Sequence, residues 1–159
     1  MKTSCLASLL VCFASCAFAA TAASAEISEI TLERTACYGT CPVYKVTLQS
    51  DGTVTYDGKE FVKEVGKRSG KISKEQFQQL VAQIQKTDFF NLEDEYRTRK
   101  NADGSVTAVT DLPTCITTVK SGARSKIVKN YFGGPESLKT LEDLIDKISG
   151  SALWVKGKA

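Results

Sequence analysis

Apolar residues change their period twice along this chain, and those changes set the expected architecture. Ile30 and Leu32 alternate with polar neighbours, as do Tyr44, Val46 and Leu48, and then Val54 and Tyr56. A period of two puts alternate side chains on one face, so these runs predict three half-buried strands. Ser50-Asp51-Gly52, between the second and third runs, is a hairpin signal. Asp57-Gly58 predicts a second turn, and the Lys- and Gly-rich stretch from Phe61 to Ile72 reads as an exposed or bulged strand.

At Ser73 the period lengthens. Ser73-Lys74-Glu75-Gln76 is a capping box, and Phe77, Leu80, Val81 and Ile84 follow at helical spacing, which predicts a helix ending near Lys86 or Thr87. Asp88-Phe89-Phe90-Asn91-Leu92 then supplies a buried aromatic corner. From Glu93 to Pro113 the pattern dissolves into charges and the turn residues Asn101-Ala102-Asp103-Gly104, so this segment is expected to be a mobile functional loop. Two more strands, Cys115 to Lys120 and Lys126 to Phe132, are joined by a turn at Ser121-Gly122-Ala123. Pro135 suits the first turn of a second helix, whose stripe is Leu138, Leu141, Leu144, Ile145 and Ile148 and whose stop is Gly150. Trp154 in the tail is expected to lie on the core as a lid. Strands followed by a helix, twice over, predict an α+β domain: an antiparallel sheet of about six strands with two α-helices packed on one face.

The first 25 residues change the compartment. Lys2 precedes an apolar run from Cys5 to Ala20 and a small-residue stretch ending in Ala25, the pattern of a signal peptide cleaved between Ala25 and Glu26. The run is shorter than the ~20 residues needed to span hydrocarbon, so no transmembrane segment is expected in the mature chain. Phe13-Ala14-Ser15-Cys16 offers an alternative, a lipoprotein signal acylated at Cys16. The expected organisation is therefore a signal peptide over residues 1–25, one domain over 26–150 and a short tail over 151–159, in a periplasmic or extracellular protein. Loss of Lys2 lowers the formal charge from +3 to about +2. Basic residues interleave with acids and apolar strand positions, which argues against a nucleic-acid surface.

Of six cysteines, Cys5, Cys12 and Cys16 leave with the signal peptide, and Cys37, Cys41 and Cys115 remain. Three pairings are open. Loop entropy favours the long ones, by roughly 4.5 kcal/mol against roughly 2 for the short loop. Geometry favours Cys37–Cys41, because a turn centred on Tyr38-Gly39-Thr40 brings the two α-carbons within disulfide reach. Cys115 is then a free, buried thiol in its strand.

Certain residues carry a family resemblance: Leu32 to Tyr44, which includes Arg34-Thr35-Ala36-Cys37-Tyr38-Gly39-Thr40-Cys41-Pro42, then Asp51 to Tyr56, Gly70 to Ser73, Asp88-Phe89-Phe90, Thr110 to Pro113, Tyr131 and Ile145-Asp146. In these the chain resembles a bacterial exported family, domain of unknown function 6438, over about residues 30 to 150. The resemblance implies a fold and an exported location. The family has no assigned activity, so no functional residue carries over.

The chemistry is bounded by what is missing. The chain has no histidine, and its one methionine is Met1. Ser-His and Cys-His pairs, imidazole bases and histidine-bearing zinc sites are thereby excluded. Cys37-Tyr38-Gly39-Thr40-Cys41-Pro42 also resembles the Cys-x-x-x-Cys-Pro site of Sco-type copper chaperones, but Cu(I) would have to be held by thiolates alone. Pro42-Val43-Tyr44 leads into a strand, so no helix N-terminus lowers the thiol pKa. Asp88, Glu93, Asp94, Glu95, Asp103 and Asp111 gather around the unassigned segment, where a solvated, turn-forming stretch accounts for them better than a carboxylate pair. No catalytic residue, cofactor or metal site is expected. The leading expectation is a non-enzymatic envelope module, pinned by a disulfide, that binds an envelope component or protein through an exposed sheet edge or the Glu93–Pro113 segment. The alternative is a thiol-disulfide redox or Cu(I)-thiolate protein using Cys37 and Cys41. Partner identity and oligomeric state are not readable from the residues.

Overall fold

In the computed structural model, residues 26–157 are described. The expected signal peptide, and with it the lipid-acceptor alternative at Cys16, lies outside the described residues. Among the described residues, nine strands and three α-helices follow in chain order: β1 (Ile27–Arg34), β2 (Val43–Gln49), β3 (Thr53–Glu60), β4 (Gly66–Lys71), α1 (Lys74–Lys86), β5 (Glu95–Tyr96), β6 (Thr98–Lys100), β7 (Val106–Ala108), β8 (Cys115–Ser121), β9 (Arg124–Asn130), α2 (Glu136–Ser149) and α3 (Ala152–Val155). Seven strands form one sheet in the order β4-β3-β2-β1-β8-β9-β5, while β6 and β7 pair only with each other. The fold is α+β, as the alternation of periods predicts.

Three features of the sheet differ from the expectation. The main sheet has seven strands rather than about six and is mixed rather than antiparallel, because β5 pairs parallel to β9 through Glu95↔Lys129 and Tyr96↔Asn130. The chain leaving α1 turns at Phe89–Asn91 and reaches the outer edge of β9 running in the same direction. Secondly, Asp57-Gly58 is not a turn but lies inside β3. A Cβ on Gly58 would stand 2.2 Å from the Glu64 carbonyl oxygen and 2.7 Å from the Tyr56 hydroxyl, so glycine serves a close approach there. The chain turns instead between Glu60 and Gly66, with Phe61 at φ 54°. Thirdly, the Glu93–Pro113 segment is not a structureless loop: it supplies β5 and then the β6–β7 hairpin.

Both long helices lie on one face of the sheet. Ser73 closes the capping box of α1: its hydroxyl accepts from the Gln76 N–H at 3.2 Å, and the Gln76 side chain accepts from the Ser73 N–H at 2.8 Å. Phe77, Leu80 and Ile84 of α1 and Leu138, Leu141 and Ile145 of α2 pack with Ile30, Leu32, Val46, Leu48, Val54, Val119 and Val128 in a single core. All but Val119 and Val128 are residues whose periodicity marks the elements. Pro135 stands at the N-cap of α2, one place outside the expected first turn, and Gly150 closes the helix at φ 71°. Trp154 packs against the Tyr56 ring at 5.0 Å, and the backbone of its short helix accepts hydrogen bonds from the Lys63 and Glu64 N–H groups. The residues after Gly150 thus close the β3–β4 end of the core.

Candidate functional site

The alternation that buries Ile30 and Leu32 also carries Arg34 to the same face, and the alternation of Val46 and Leu48 carries Tyr44 there. In register, Gly58, Tyr44, Arg34, Cys115 and Asn130 form one row across five strands. Helix α2 covers this row with Glu142 and Asp146, one turn apart on its buried stripe. The last row before the Cys37–Cys41 loop is therefore polar, under an otherwise apolar helix.

Two linked arrangements fill it. Asp146 accepts four side-chain donors: Arg34 Nε at 3.1 Å and Nη2 at 2.8 Å on Oδ2, with the Tyr44 hydroxyl at 2.7 Å and the Ser151 hydroxyl at 2.8 Å on Oδ1. Asp143 stands 3.9 Å from Arg34 on the exposed side. Glu142, only 3% exposed, accepts from Asn130 Nδ2 at 3.1 and 3.2 Å and is hydrogen-bonded to the Cys115 thiol. Burial pushes the Glu142 carboxyl up to about 7, against the opposing pull of Asn130 and Arg34. Burial and the nearby Glu142 carboxylate push the Cys115 thiol upward, so it stays protonated and inert. The Tyr44 phenol is raised as well, by burial and then by Asp146.

Mechanically, the arrangement latches α2 to the sheet. The carboxylates of Asp146 and Glu142 are both occupied by side chains from inside the fold, whereas Asp143 faces outward. Charge-assisted bonds of this kind tie α2 to β1 and β2 and order the end of the sheet where the chain enters the Cys37–Cys41 loop. At that loop the two sulfurs lie at disulfide distance with α-carbons 5.7 Å apart, and Tyr38 between them is 89% exposed. Cys115 is buried one strand away, beside Arg34. The pair precedes a strand, as its sequence predicts.

The chain belongs to the DUF6438 family. The model of that family, described as a domain of unknown function, matches residues 28–149, most of the chain. No curated protein matches the chain significantly. Arg34, Tyr44 and Asp146, all among the residues that carry the resemblance, meet at one carboxylate in this DUF6438 domain.

The acidic residues around the Glu93–Pro113 segment are not brought together. Asp88 accepts from Asn91, Asp94 pairs with Lys126 at 2.5 Å, Asp103 accepts from Ser105, and Asp111 accepts from Thr110. Among the described residues no cluster of three or more His, Cys, Asp or Glu could hold a metal ion, and no helix is long and apolar enough to cross a membrane. Sequence reasoning passed over Glu142 and Asn130. The signal was present: Glu142 lies four residues after Leu138 and three before Ile145, a charged residue on an apolar stripe.

Beyond the covered face lies the arm made of β6 and β7, with Thr98↔Ala108, Arg99↔Thr107 and Lys100↔Val106 in register. Every residue of both strands is exposed, and Val106 is 58% exposed. The arm is rooted firmly. The Tyr131 hydroxyl accepts from the Leu112 N–H at 3.3 Å and donates to the Val109 carbonyl at 3.2 Å, and Arg99 stacks 4.7 Å over Phe132. Gly133, at φ 86°, passes so close to the Thr98 carbonyl that a Cβ would sit 2.2 Å from its oxygen.

Proposed function

We propose that the protein is an exported, non-enzymatic binding module that recognises an envelope protein through the β6–β7 arm. The observation that carries this reading is the arm itself, a two-stranded ribbon exposed on both faces yet anchored at its base by Tyr131, Phe132 and Gly133. An isolated ribbon gains little stability in water, so a rooted one that displays Val106 and Lys100 is suited to gain it against a partner. Export is supported by the signal-peptide pattern of residues 1–25 and by two sulfurs at bonding distance, which suits an oxidising compartment. The internally occupied carboxylates and the buried Cys115 support a non-enzymatic role.

A photo-crosslinking residue placed at Val106 tests this in cells, with Gln79 on the exposed side of α1 as the control. The expected result is a discrete adduct with an envelope protein from Val106 and none from Gln79. Identical adduct patterns from the two positions would refute the arm as the recognition element. Reversible titration of Cys37 and Cys41 near the envelope redox poise would replace the binding reading with a redox one.

A further inference from the structure

The sheet face opposite the helices carries an ordered charge pattern. Across β4, β3, β2 and β1 the register aligns Lys67, Asp57, Lys45 and Glu33 in one row. The next row is Ser69, Thr55, Thr47 and Thr31, and the third places Lys71 beside Thr53 and Gln49 beside Glu29. The outer charges of each charged row are opposite in sign. Lys67 and Glu33 stand three strands apart, about 14 Å at the usual strand spacing, too far to pair within one chain. Lys45 closes no ion pair with Asp57 or Glu33, its two register partners, and Asp57 is bridged instead to Lys59 at 2.7 Å.

A twofold axis along the strands between β2 and β3 would bring β4 of one copy over β1 of the other and β3 over β2. Lys67 would then face Glu33 of the second copy, Asp57 would face Lys45, and Lys71 would face Glu29. Hydroxyls would meet hydroxyls in the middle row. Shifting the axis onto β2 or β3 would set Lys45 against Lys45 or Asp57 against Asp57, so the pattern selects one register and opposes its nearest slips. A shallow hollow of about 520 Å³ over β2, β3 and β4, lined by Lys45, Thr55, Asp57 and Lys67, leaves room for long side chains of the second copy.

We propose that this open face is a self-complementary interface through which two copies associate, sheet on sheet. Aligned sheet packing at about 10 Å separation suits such an axis. Four strands of about seven residues offer about 450 Å² on each copy, which places the contact among weak, transient interfaces held by charge. The surface is separate from the arm, so neither proposal depends on the other.

Sedimentation velocity of the purified protein over a wide concentration range tests it, below about 0.02 M ionic strength and again near about 0.5 M. A dimer is expected at the higher concentrations in low salt and is expected to dissociate in high salt. Glu33→Lys alone should weaken association at least about tenfold, and Glu33→Lys combined with Lys67→Glu should restore it, because like charges face each other in the first and opposite charges in the second. All of these positions lie on the solvent face, and circular dichroism checks that each variant is folded. A chain that stays monomeric in low salt overturns the proposal, as does a dimer unaffected by Glu33→Lys or one abolished by removing the arm.

Discussion

The two faces of the main sheet are built from the same strands and answer to opposite demands. On the helix-covered face a charge needs partners from inside the fold, and so Arg34, Tyr44, Asp146 and Ser151 converge while Glu142 is held by Asn130 and Cys115. On the open face the charges lie toward water, and Lys67, Asp57, Lys45 and Glu33 alternate in sign across the strands without closing ion pairs with one another, while Asp57 is bridged to Lys59 and Glu29 to Lys120. Charges thus act as structure on one side and as recognition potential on the other. One residue of register separates the two roles.

The largest expected break comes from removing the shared acceptor of the covered face. Asp146→Ala leaves Arg34 charged under α2 without its main partner and should lower stability by about 4 kcal/mol in urea denaturation, whereas Thr55→Ala on the open face should stay within about 0.5 kcal/mol. Equal effects from the two would erase the distinction between the faces.

Glu142 sharpens the comparison through pH. Its folded value, about 7, lies above the ordinary 4.5, so the fold favours the neutral acid. The unfolded chain loses this proton first as pH rises, and stability therefore falls between about pH 4.5 and pH 7, by about 3 kcal/mol in full. Glu142→Gln, which is neutral throughout, should remove that slope and gain on the parent protein as pH rises across the window. Parallel pH profiles for the two proteins would show that Glu142 is not held as a neutral acid.

A smaller effect is expected at the loop next to the polar row. Replacing Cys37 and Cys41 together with serine opens a short loop and should cost about 2 kcal/mol under oxidising conditions. The difference should vanish in reductant, and a mass measurement of the parent chain checks the bond directly. The smallest effect belongs to Thr117, whose buried hydroxyl has no hydrogen-bond partner among the described residues. Thr117→Val keeps the shape and removes that polar atom, so thermal melting should show a neutral to slightly stabilised protein, by up to about 1 kcal/mol.

How much of this was legible in the residues depends on the range of the interaction. The capping box at Ser73, the stripe of α2 and the alternation around Val46 are local patterns, and each places its element where the periodicity predicts. Asp57-Gly58 misled because the same dipeptide serves a tight turn or a close approach, and only the position of the Glu64 carbonyl distinguishes the two. The stretch from Glu93 to Pro113 misled for a related reason. Two-residue β5 has no period of its own, and its place in the sheet is dictated by the free edge of β9. At the candidate site, Arg34 and Tyr44 could be assigned to the buried face by counting in twos, but nothing near them in sequence announces Asp146, 112 residues from Arg34.

By itself, then, the sequence determined the element types, the α+β class, the apolar stripes and the short Cys-x-x-x-Cys loop, because each rests on propensities and periods that act within a few residues. Only the tertiary structure decided which charges were buried together, which edge β5 joined and which polar rows were left on the open face. Those outcomes depend on strand order and register, quantities that bring residues together across the whole chain and leave no local pattern in it.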